Sequence, residues 1–275
     1  MWTFNKFFGK IFDLLFIPFR SMNPWVGMVI VSFLTGLLML VIFRYTSNQA
    51  GIKKVKNKIK AHLLELRLYK DSLGLSMKAQ GNILLANLKY LTHSFKPMLV
   101  MIVPVILILI QMNFWFGYES LKPGEQTLLK VKLEEGYNPL QTDLVLEPDP
   151  EIVIETPPLR IEEYCEINWR ISSQKSGIYH VNVVVAGNKI SKTIATNTKP
   201  LTKLSPIKHR KNFVNELFYP VESPIAKDLP VQSIEVLYPA KRLSFFRFDI
   251  HWLIAYFALS IIFGFAFKGI FKVEI

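Results

Sequence analysis

The side chains that most often perform covalent chemistry are sparse and scattered in this chain. The five histidines lie far apart, at positions 62, 93, 180, 209 and 251, without the spacing of metal ligands. Cys165 is the only cysteine, which excludes an internal disulfide and a CxxC redox motif. No P-loop and no G-x-S-x-G motif occurs. The sequence therefore predicts a protein that is not an enzyme and that holds no metal or cofactor.

The polar residues in the most unusual positions lie inside long apolar runs. They are Ser32 and Thr35 in the first run, Gln111 and Asn113 in the second, and Ser260 in the third. Isolated polar residues usually bond neighbouring transmembrane helices together, and they can also line a shallow hydrated groove. Positions two apart on a helix point about 200° from each other, so Gln111 and Asn113 cannot face the same side. Gln111 lies deeper, which makes it the better groove candidate of the two.

The runs themselves have membrane length. Trp25 to Phe43 and Pro97 to Tyr118 carry no charge, and a bilayer core of roughly 30 Å needs about 20 helical residues. A third run, from Trp252, reaches that length if Lys268 extends its side chain to the interface. The expected transmembrane helices are residues 24–43, 97–118 and 249–271.

The segment from Arg44 to Lys96 joins the first two runs and carries eleven Lys and Arg against only Glu65 and Asp71. Because short basic loops stay in the cytoplasm, this segment (44–96) should be cytoplasmic and the N-terminus outside. Residues 119–248 should then be extracytoplasmic and the tail 272–275 cytoplasmic, as in a multi-pass protein of a prokaryotic inner membrane. The net charge of +12 reports this topology and contact with membrane lipid, and no specific nucleic acid partner is expected.

Apolar residues within this basic segment recur every three or four positions, which predicts an antiparallel, coiled-coil-like hairpin of two helices. Gly74 is expected to end the first helix and Ser76 to cap the second. The cations nearest the membrane are Lys53, Lys54, Lys56, Lys58 and Lys60. Anionic lipid is the simpler partner for them; a ribosome, RNA or a nascent chain is the alternative.

Two further segments complete the plan. In residues 1–23, aromatic and aliphatic side chains alternate with a few charges, a pattern typical of an amphipathic helix lying in the membrane interface. In residues 119–248, several short segments alternate polar and apolar residues, and Ala186-Gly187-Asn188 predicts a hairpin turn. The expected strands are Leu128–Leu133, Glu151–Glu155, Ile167–Ile171, Gly177–Val185, Ile190–Ile194 and Ile234–Tyr238. This region is expected to form an antiparallel β-sandwich with Trp169 in its core. The predicted fold is therefore three transmembrane helices, a cytoplasmic helical hairpin and an extracytoplasmic β domain.

The order of these elements resembles the YidC-type membrane protein insertase superfamily. The likeness rests on the segment Val41-Ile42-Phe43-Arg44-Tyr45, the basic hairpin, and the second span with Pro104-Val105-Ile106 and Asn113. The size resembles that of the small three-span branch, which includes the third subunit of the ER membrane complex and archaeal relatives. The β domain between the second and third spans is an addition to that branch, and no arginine lies within Trp25–Phe43.

The resemblance implies an insertase and chaperone for client membrane proteins. In that family a hydrophilic groove lowers the cost of moving polar client segments across the bilayer. Arg44, Gln111, Asn113, Ser32, Thr35 and Ser260 would form the groove, and the hairpin would receive the client. Ribosomes or other membrane subunits are further partners that this family implies. The alternative is a membrane-anchored scaffold or accessory subunit whose β domain binds an envelope partner.

Overall fold

The structure, a computed structural model, describes residues 2–245 and 247–274, with side chains described from Phe7 onward. The chain divides into two compact units. The first, here called the β unit, comprises Met1–Gly27 and Leu109–Trp252. The second, here called the helical unit, comprises Met28–Ile108 and Leu253–Ile275.

Six α-helices are described. They are α1 (Trp2–Phe16), α2 (Pro24–Thr46), α3 (Gln49–Leu68), α4 (Leu73–Phe116), α5 (Phe213–Phe218) and α6 (Trp252–Phe267), with a 3-10 turn at Ile17–Phe19. Within the described residues, α2 and α4 are long and apolar enough to cross a membrane, whereas α6 has only 16 residues. The two predicted spans in α2 and α4 thus have the necessary length, and the third remains a prediction.

Helix α2 begins where local chemistry favours a start. Pro24 occupies the first helical position, where a missing N–H costs nothing. The Asn23 side-chain oxygen accepts a hydrogen bond from the backbone N–H of Trp25 at 3.0 Å. The Asn23-Pro24 pair therefore separates the N-terminal segment from α2, as the sequence predicts.

The hairpin differs from the prediction at its tip and at its membrane end. Helix α3 ends at Leu68, and both Gly74 and Ser76 lie inside α4, so the predicted helix end at Gly74 and the predicted cap at Ser76 are wrong. The Ser76 hydroxyl donates to the carbonyl of Tyr69 at 2.9 Å, which ties the turn to the second arm. Helix α4 then continues through Pro97 for 44 residues in all, without the break predicted between residues 96 and 97.

In the helical unit, α2 packs closely on α6. A Cβ atom placed on Gly36 would lie 3.0 Å from the carbonyl oxygen of Ser260, so glycine favours this close approach and a larger residue would push the helices apart. The Phe33 ring meets the rings of Phe263 and Phe267 edge-on, with centroids 5.3 and 5.4 Å away. Buried apolar residues also join the end of α2 to the start of α3 and to the segment after α6.

The β unit contains two larger antiparallel sheets and a short hairpin. One sheet has the order β3-β5-β1-β9-β8 with β4 also paired to β5, the second has the order β2-β6-β7, and β10 pairs with β11. The strands are β1 (Gln126–Leu133), β2 (Leu144–Pro148), β3 (Ile152–Ile154), β4 (Leu159–Ile161), β5 (Glu166–Ser173), β6 (Gly177–Val185), β7 (Asn188–Thr196), β8 (Ile207–His209), β9 (Val231–Val236), β10 (Leu243–Phe245) and β11 (Phe248–Ile250).

Side chains of both larger sheets share one apolar core, as in a sandwich. Trp169 of β5 lies in that core with 3% of its surface exposed, as predicted. The hairpin of β6 and β7 turns at Ala186 and Gly187, which both have positive φ (48° and 75°) and are bracketed by the pair Val185 and Asn188. Positive φ at both central residues is the geometry of a two-residue hairpin turn.

Helix α1 belongs to the β unit and has two kinds of apolar surface. Phe12 and Phe16 are buried, and the Phe16 ring lies 4.6 Å from that of Trp115. Phe7, Ile11 and Leu14 are exposed instead. Apolar side chains that the protein itself leaves uncovered fit the predicted helix in a membrane interface.

Candidate functional site

A polar cluster lies inside the otherwise apolar helical unit. The Ser32 hydroxyl approaches the backbone carbonyl of Tyr256 at 3.4 Å, and the Tyr256 hydroxyl lies 3.3 Å from the Thr35 hydroxyl. All three residues are at least 96% buried. Two of the predicted groove residues, Ser32 and Thr35, therefore join α2 to α6, which is the helix-bonding alternative that the sequence left open.

Next to this cluster lies a cavity of about 280 Å³. Thr35, Tyr256 and Ser260 supply its hydroxyl groups, and the other lining side chains are apolar. Those residues are Gly36, Met39, Leu40 and Phe43 of α2, Met101 and Val105 of α4, and Phe257, Ile261, Gly264 and Phe265 of α6. Three helices of one unit thus line an open space that is almost entirely apolar, because the hydroxyl groups beside it are themselves buried.

Gly264 helps to keep this space open. A Cβ atom at Gly264 would meet nothing within 4 Å, so a side chain there would extend into free space. Gly36 does the opposite, because it lets α2 and α6 touch beside the cavity. The backbone of α6 is thus close to Gly36 at both Ser260 and Gly264, while the position that a side chain of Gly264 would take is open.

Arg44 does not line this cavity. It is exposed in the last turn of α2, where a cation interacts favourably with the helix dipole. Its predicted role at the mouth of a groove stays a prediction.

The hairpin lysines also follow a simple pattern. Lys53, Lys54, Lys58 and Lys60 are exposed, whereas Lys56 is half-buried and pairs with Glu274 at 3.0 Å. Lys53, Lys56, Lys268 and Lys272 line one cavity of about 550 Å³ with Glu274. Lys56 and Lys53 lower the pKa of the Glu274 carboxyl. The base of the hairpin and the segment after α6 thus form one basic cluster, which the sequence did not place together.

Gln111 and Asn113 belong to the β unit. Gln111 is 99% buried, and its Oε1 has no hydrogen-bond partner among the described residues. This amide lies beside α1, where a Cβ atom on Gly9 would come within 3.4 Å of Oε1. Asn113 is half-buried, and its backbone carbonyl accepts from Gly117 at the end of α4. Their assignment to a groove stays a prediction.

The β unit also buries charge that the sequence analysis missed. Lys192 of β7 is fully buried, and its ammonium donates to the Glu222 carboxylate at 2.7 Å and to the carbonyl of Ser205. The other Glu222 oxygen accepts from the backbone N–H of Thr193 at 2.8 Å. Burial lowers the pKa of Lys192, and it also opposes ionisation of Glu222. Lys192 and these hydrogen bonds outweigh that cost and lower the pKa of Glu222.

A signal for this pair exists in the sequence. Lys192 alternates with Ile190 and Ile194, so strand geometry alone places its side chain on the buried face. Tyr256 and Gly264, by contrast, lie in a run that is apolar throughout, and no pattern there distinguishes the cavity side of α6. Groups of three or more metal-binding side chains are not found among the described residues. Comparisons of the chain with protein-family models, with curated proteins and with solved structures find no match.

Proposed function

We propose that this chain is a membrane protein that receives transmembrane segments of client proteins and helps them to enter the bilayer, in the manner of YidC-type insertases. The observation that carries the proposal is the cavity between α2, α4 and α6, whose surface is almost entirely apolar.

The chemistry of the lining suits a client helix. The apolar walls of the cavity accept aliphatic side chains of a client helix by van der Waals packing. The volume, about 280 Å³, lies just below the roughly 300–1,000 Å³ of small-molecule pockets. The cavity therefore takes a few side chains of a client helix and leaves the rest of that helix in lipid.

Helix α6 adds a second argument. At about 1.5 Å per residue, its 16 residues extend over about 24 Å, which is less than a bilayer core of roughly 30 Å. If α6 crosses the membrane, the bilayer beside it must thin or the flanking Lys268 must reach the interface. Local thinning shortens the distance that a polar client segment has to cross. Neither the thinning of the bilayer nor the shorter crossing distance needs nucleotide hydrolysis.

Two substitutions on the same helix test this mechanism. Gly264→Leu places a side chain in the cavity, whereas Ala258→Leu adds bulk at an exposed position of α6 that does not line it. Insertion of a small membrane protein with a short acidic outer tail is measured in vesicles that contain each variant. We expect Gly264→Leu to reduce insertion and Ala258→Leu to leave it unchanged.

Photo-crosslinking locates the client. A crosslinker at Met39 faces the cavity, and one at Val103 lies on an exposed part of α4 outside it. Crosslinks from Met39 to a client during its synthesis support the proposal. Equal crosslinking from both positions would show that the client only diffuses past the protein, which contradicts it.

Arg44 has a separate test. If the positive charge of Arg44 attracts acidic client segments, Arg44→Ala should impair insertion of clients with acidic tails, and Arg44→Lys should retain it. If Arg44 only fixes the orientation of α2, normal insertion by correctly oriented Arg44→Ala protein will show it.

The alternative is an accessory subunit whose β domain binds a partner. The observation that favours it is the edge strand β2, which pairs only with β6 in its sheet and exposes Val145. An unpaired edge can accept a strand from another chain. If this edge binds a partner, Val145→Lys should abolish capture of that partner. If the chain acts as an insertase, Val145→Lys should change neither client crosslinking nor insertion.

A further inference from the structure

A second site lies in the β unit, around Arg20. This residue follows the 3-10 turn after α1, and its backbone carbonyl accepts a hydrogen bond from the N–H of Leu201 at 3.2 Å. Its guanidinium carbon lies 5.5 Å from the centre of the Trp115 ring. The Nε atom is buried and has no hydrogen-bond partner among the described residues. Buried donors without a partner are rare and point to an absent ligand or water.

The facing segment supplies more donors. Arg20 and residues 197–203 line a cavity of about 470 Å³ together with Ser176, Gly177 and Ile178. The Thr198 hydroxyl is buried and, within the part of the chain that the structure describes, unpaired. The Ser176 oxygen accepts from the Asn197 amide at 2.9 Å, which leaves its own hydrogen free to donate. Four groups that can donate hydrogen bonds, counting the exposed Lys199, thus surround one space.

The charged residues that line the cavity favour an anionic ligand. Arg20, Lys199 and Lys203 line it, and none of its lining residues is acidic. Lys203 is already paired, because its ammonium lies 2.9 Å from the Asp13 carboxylate. Two cations and two hydroxyl groups therefore remain for a ligand. An anion with several acceptor oxygens fits them, and arginine is suited to phosphate because it can donate two parallel hydrogen bonds.

The position of the site along the chain indicates the source of the phosphate. Arg20 lies four residues before α2 begins at Pro24, and Trp115 lies in the last turn of α4. In the membrane placement proposed above, on which this step rests, both positions fall at the outer interface, where tryptophan is enriched. The exposed Phe7, Ile11 and Leu14 of α1 belong to the same interface. We propose that this cavity binds the phosphate of an anionic lipid headgroup.

The test counts lipids bound to the intact chain. The protein is reconstituted in nanodiscs of phosphatidylcholine with a minor share of phosphatidylglycerol, and native mass spectrometry measures the phosphatidylglycerol that it retains. Arg20→Gln should reduce retention about tenfold, since a charge-assisted hydrogen-bond pair is lost. Arg20→Lys should lose part of it, and Thr198→Val should lose less. Arg247→Gln is the matched control, because it removes an exposed arginine shortly before α6.

Each alternative has its own outcome. Unchanged retention in folded Arg20→Gln and Thr198→Val protein overturns the site while the membrane placement stands. A chain that does not enter nanodiscs at all overturns the placement and, with it, the lipid. Displacement of phosphatidylglycerol by millimolar inorganic phosphate would assign the cavity to free phosphate instead. Loss of retention in the Arg247→Gln control to the same degree would show general charge attraction in place of a site.

Discussion

The two units of this protein treat buried polar groups in different ways. In the helical unit, the buried Ser32 hydroxyl lies near the backbone carbonyl of Tyr256, and the buried hydroxyls of Thr35 and Tyr256 lie within 3.3 Å of each other. The β unit buries charge, with Lys192 fully enclosed beside Glu222 and Lys241 92% enclosed. A hydroxyl costs little to desolvate when it is bonded, whereas a buried ion must be paired. Among the described residues, the fully buried polar side chains of the helical unit are therefore uncharged, whereas those of the β unit include lysines held by specific partners.

The first prediction tests whether the tip of the hairpin and the β unit lie on opposite faces of a membrane. In a Cys165→Ser background, Lys189→Cys should react in intact cells with a reagent that cannot cross the membrane, and Ser76→Cys should not. Lys189 is exposed in β7, so the reagent can reach a cysteine there. Its backbone φ is not positive, so a cysteine fits this position without the strain that it would meet at Gly187. The expected difference is all or none, because the reagent reaches only one face. The reverse labelling pattern would show that the topology is the opposite of the predicted one.

The second prediction concerns the buried pair. Glu222→Gln removes the counter-charge of Lys192 and should cost the β unit about 3–5 kcal/mol of unfolding free energy, because an unpaired buried ion remains. Denaturant unfolding, followed by tryptophan fluorescence, measures it. Glu147→Gln is the control, since its pair with Lys189 is exposed and should cost below about 1 kcal/mol. Equal costs for the two would remove the contrast between the units.

The third prediction tests close packing in the helical unit. Gly36→Ala puts a methyl group 3.0 Å from the Ser260 carbonyl oxygen and 3.1 Å from Phe263 Cβ. We expect a loss of about 1–3 kcal/mol in the stability of the α2–α6 contact, measured by thermal unfolding in detergent. Gly81→Ala, where a Cβ atom would meet nothing within 4 Å, should be neutral or stabilising. A stable Gly36→Ala protein would mean that α6 can move away from α2.

The smallest expected effect is a dependence on pH. Burial lowers the pKa of Lys241 to about 8, against an opposing effect of Glu119. The folded chain therefore binds this proton less tightly than the unfolded chain, whose lysine has a pKa of 10.5. Stability of the β unit should rise as the pH increases from about 8 towards 10.5. Lys241→Met should flatten that rise in a series of thermal melts, and an unchanged slope would contradict the assignment.

The sequence predicts the β unit well where alternation is regular. The expected strands around Leu128–Leu133, Ile167–Ile171 and Gly177–Val185 occur in β1, β5 and β6, because a period of two leaves one register that buries the apolar face. Strand β2 and the three-residue strands β4, β8, β10 and β11 were missed, since so few residues rarely show a clear period. Strand β3 is equally short, but it was predicted because the alternation continues on both sides of it, from Glu151 to Glu155. Helix α5 was missed for the same reason, with six residues in a proline-rich segment.

In the helical unit, composition predicts the spans but not their contacts. Every face of α2 and α6 is apolar, so no periodicity shows which side carries the cavity. The span boundary at residue 97 follows from the start of the charge-free run, and α4 is continuous across it, with Pro97 inside the helix. The partners of Ser32 and Thr35 come from Tyr256, more than 220 positions away, which no local pattern encodes.

The prolines of α4 have a consequence for how the cavity changes shape. Pro97 and Pro104 remove the N–H groups that would bond the carbonyls of His93 and Val100, so the helix bends most easily at these two points. Seven residues apart, they lie on the helix face that also carries Met101 and Val105, which line the cavity. Bending at either proline would move the α4 wall of the cavity relative to α2 and α6. In the function proposed above, such a movement would change the width available to a client segment and would leave the contact between α2 and α6 in place.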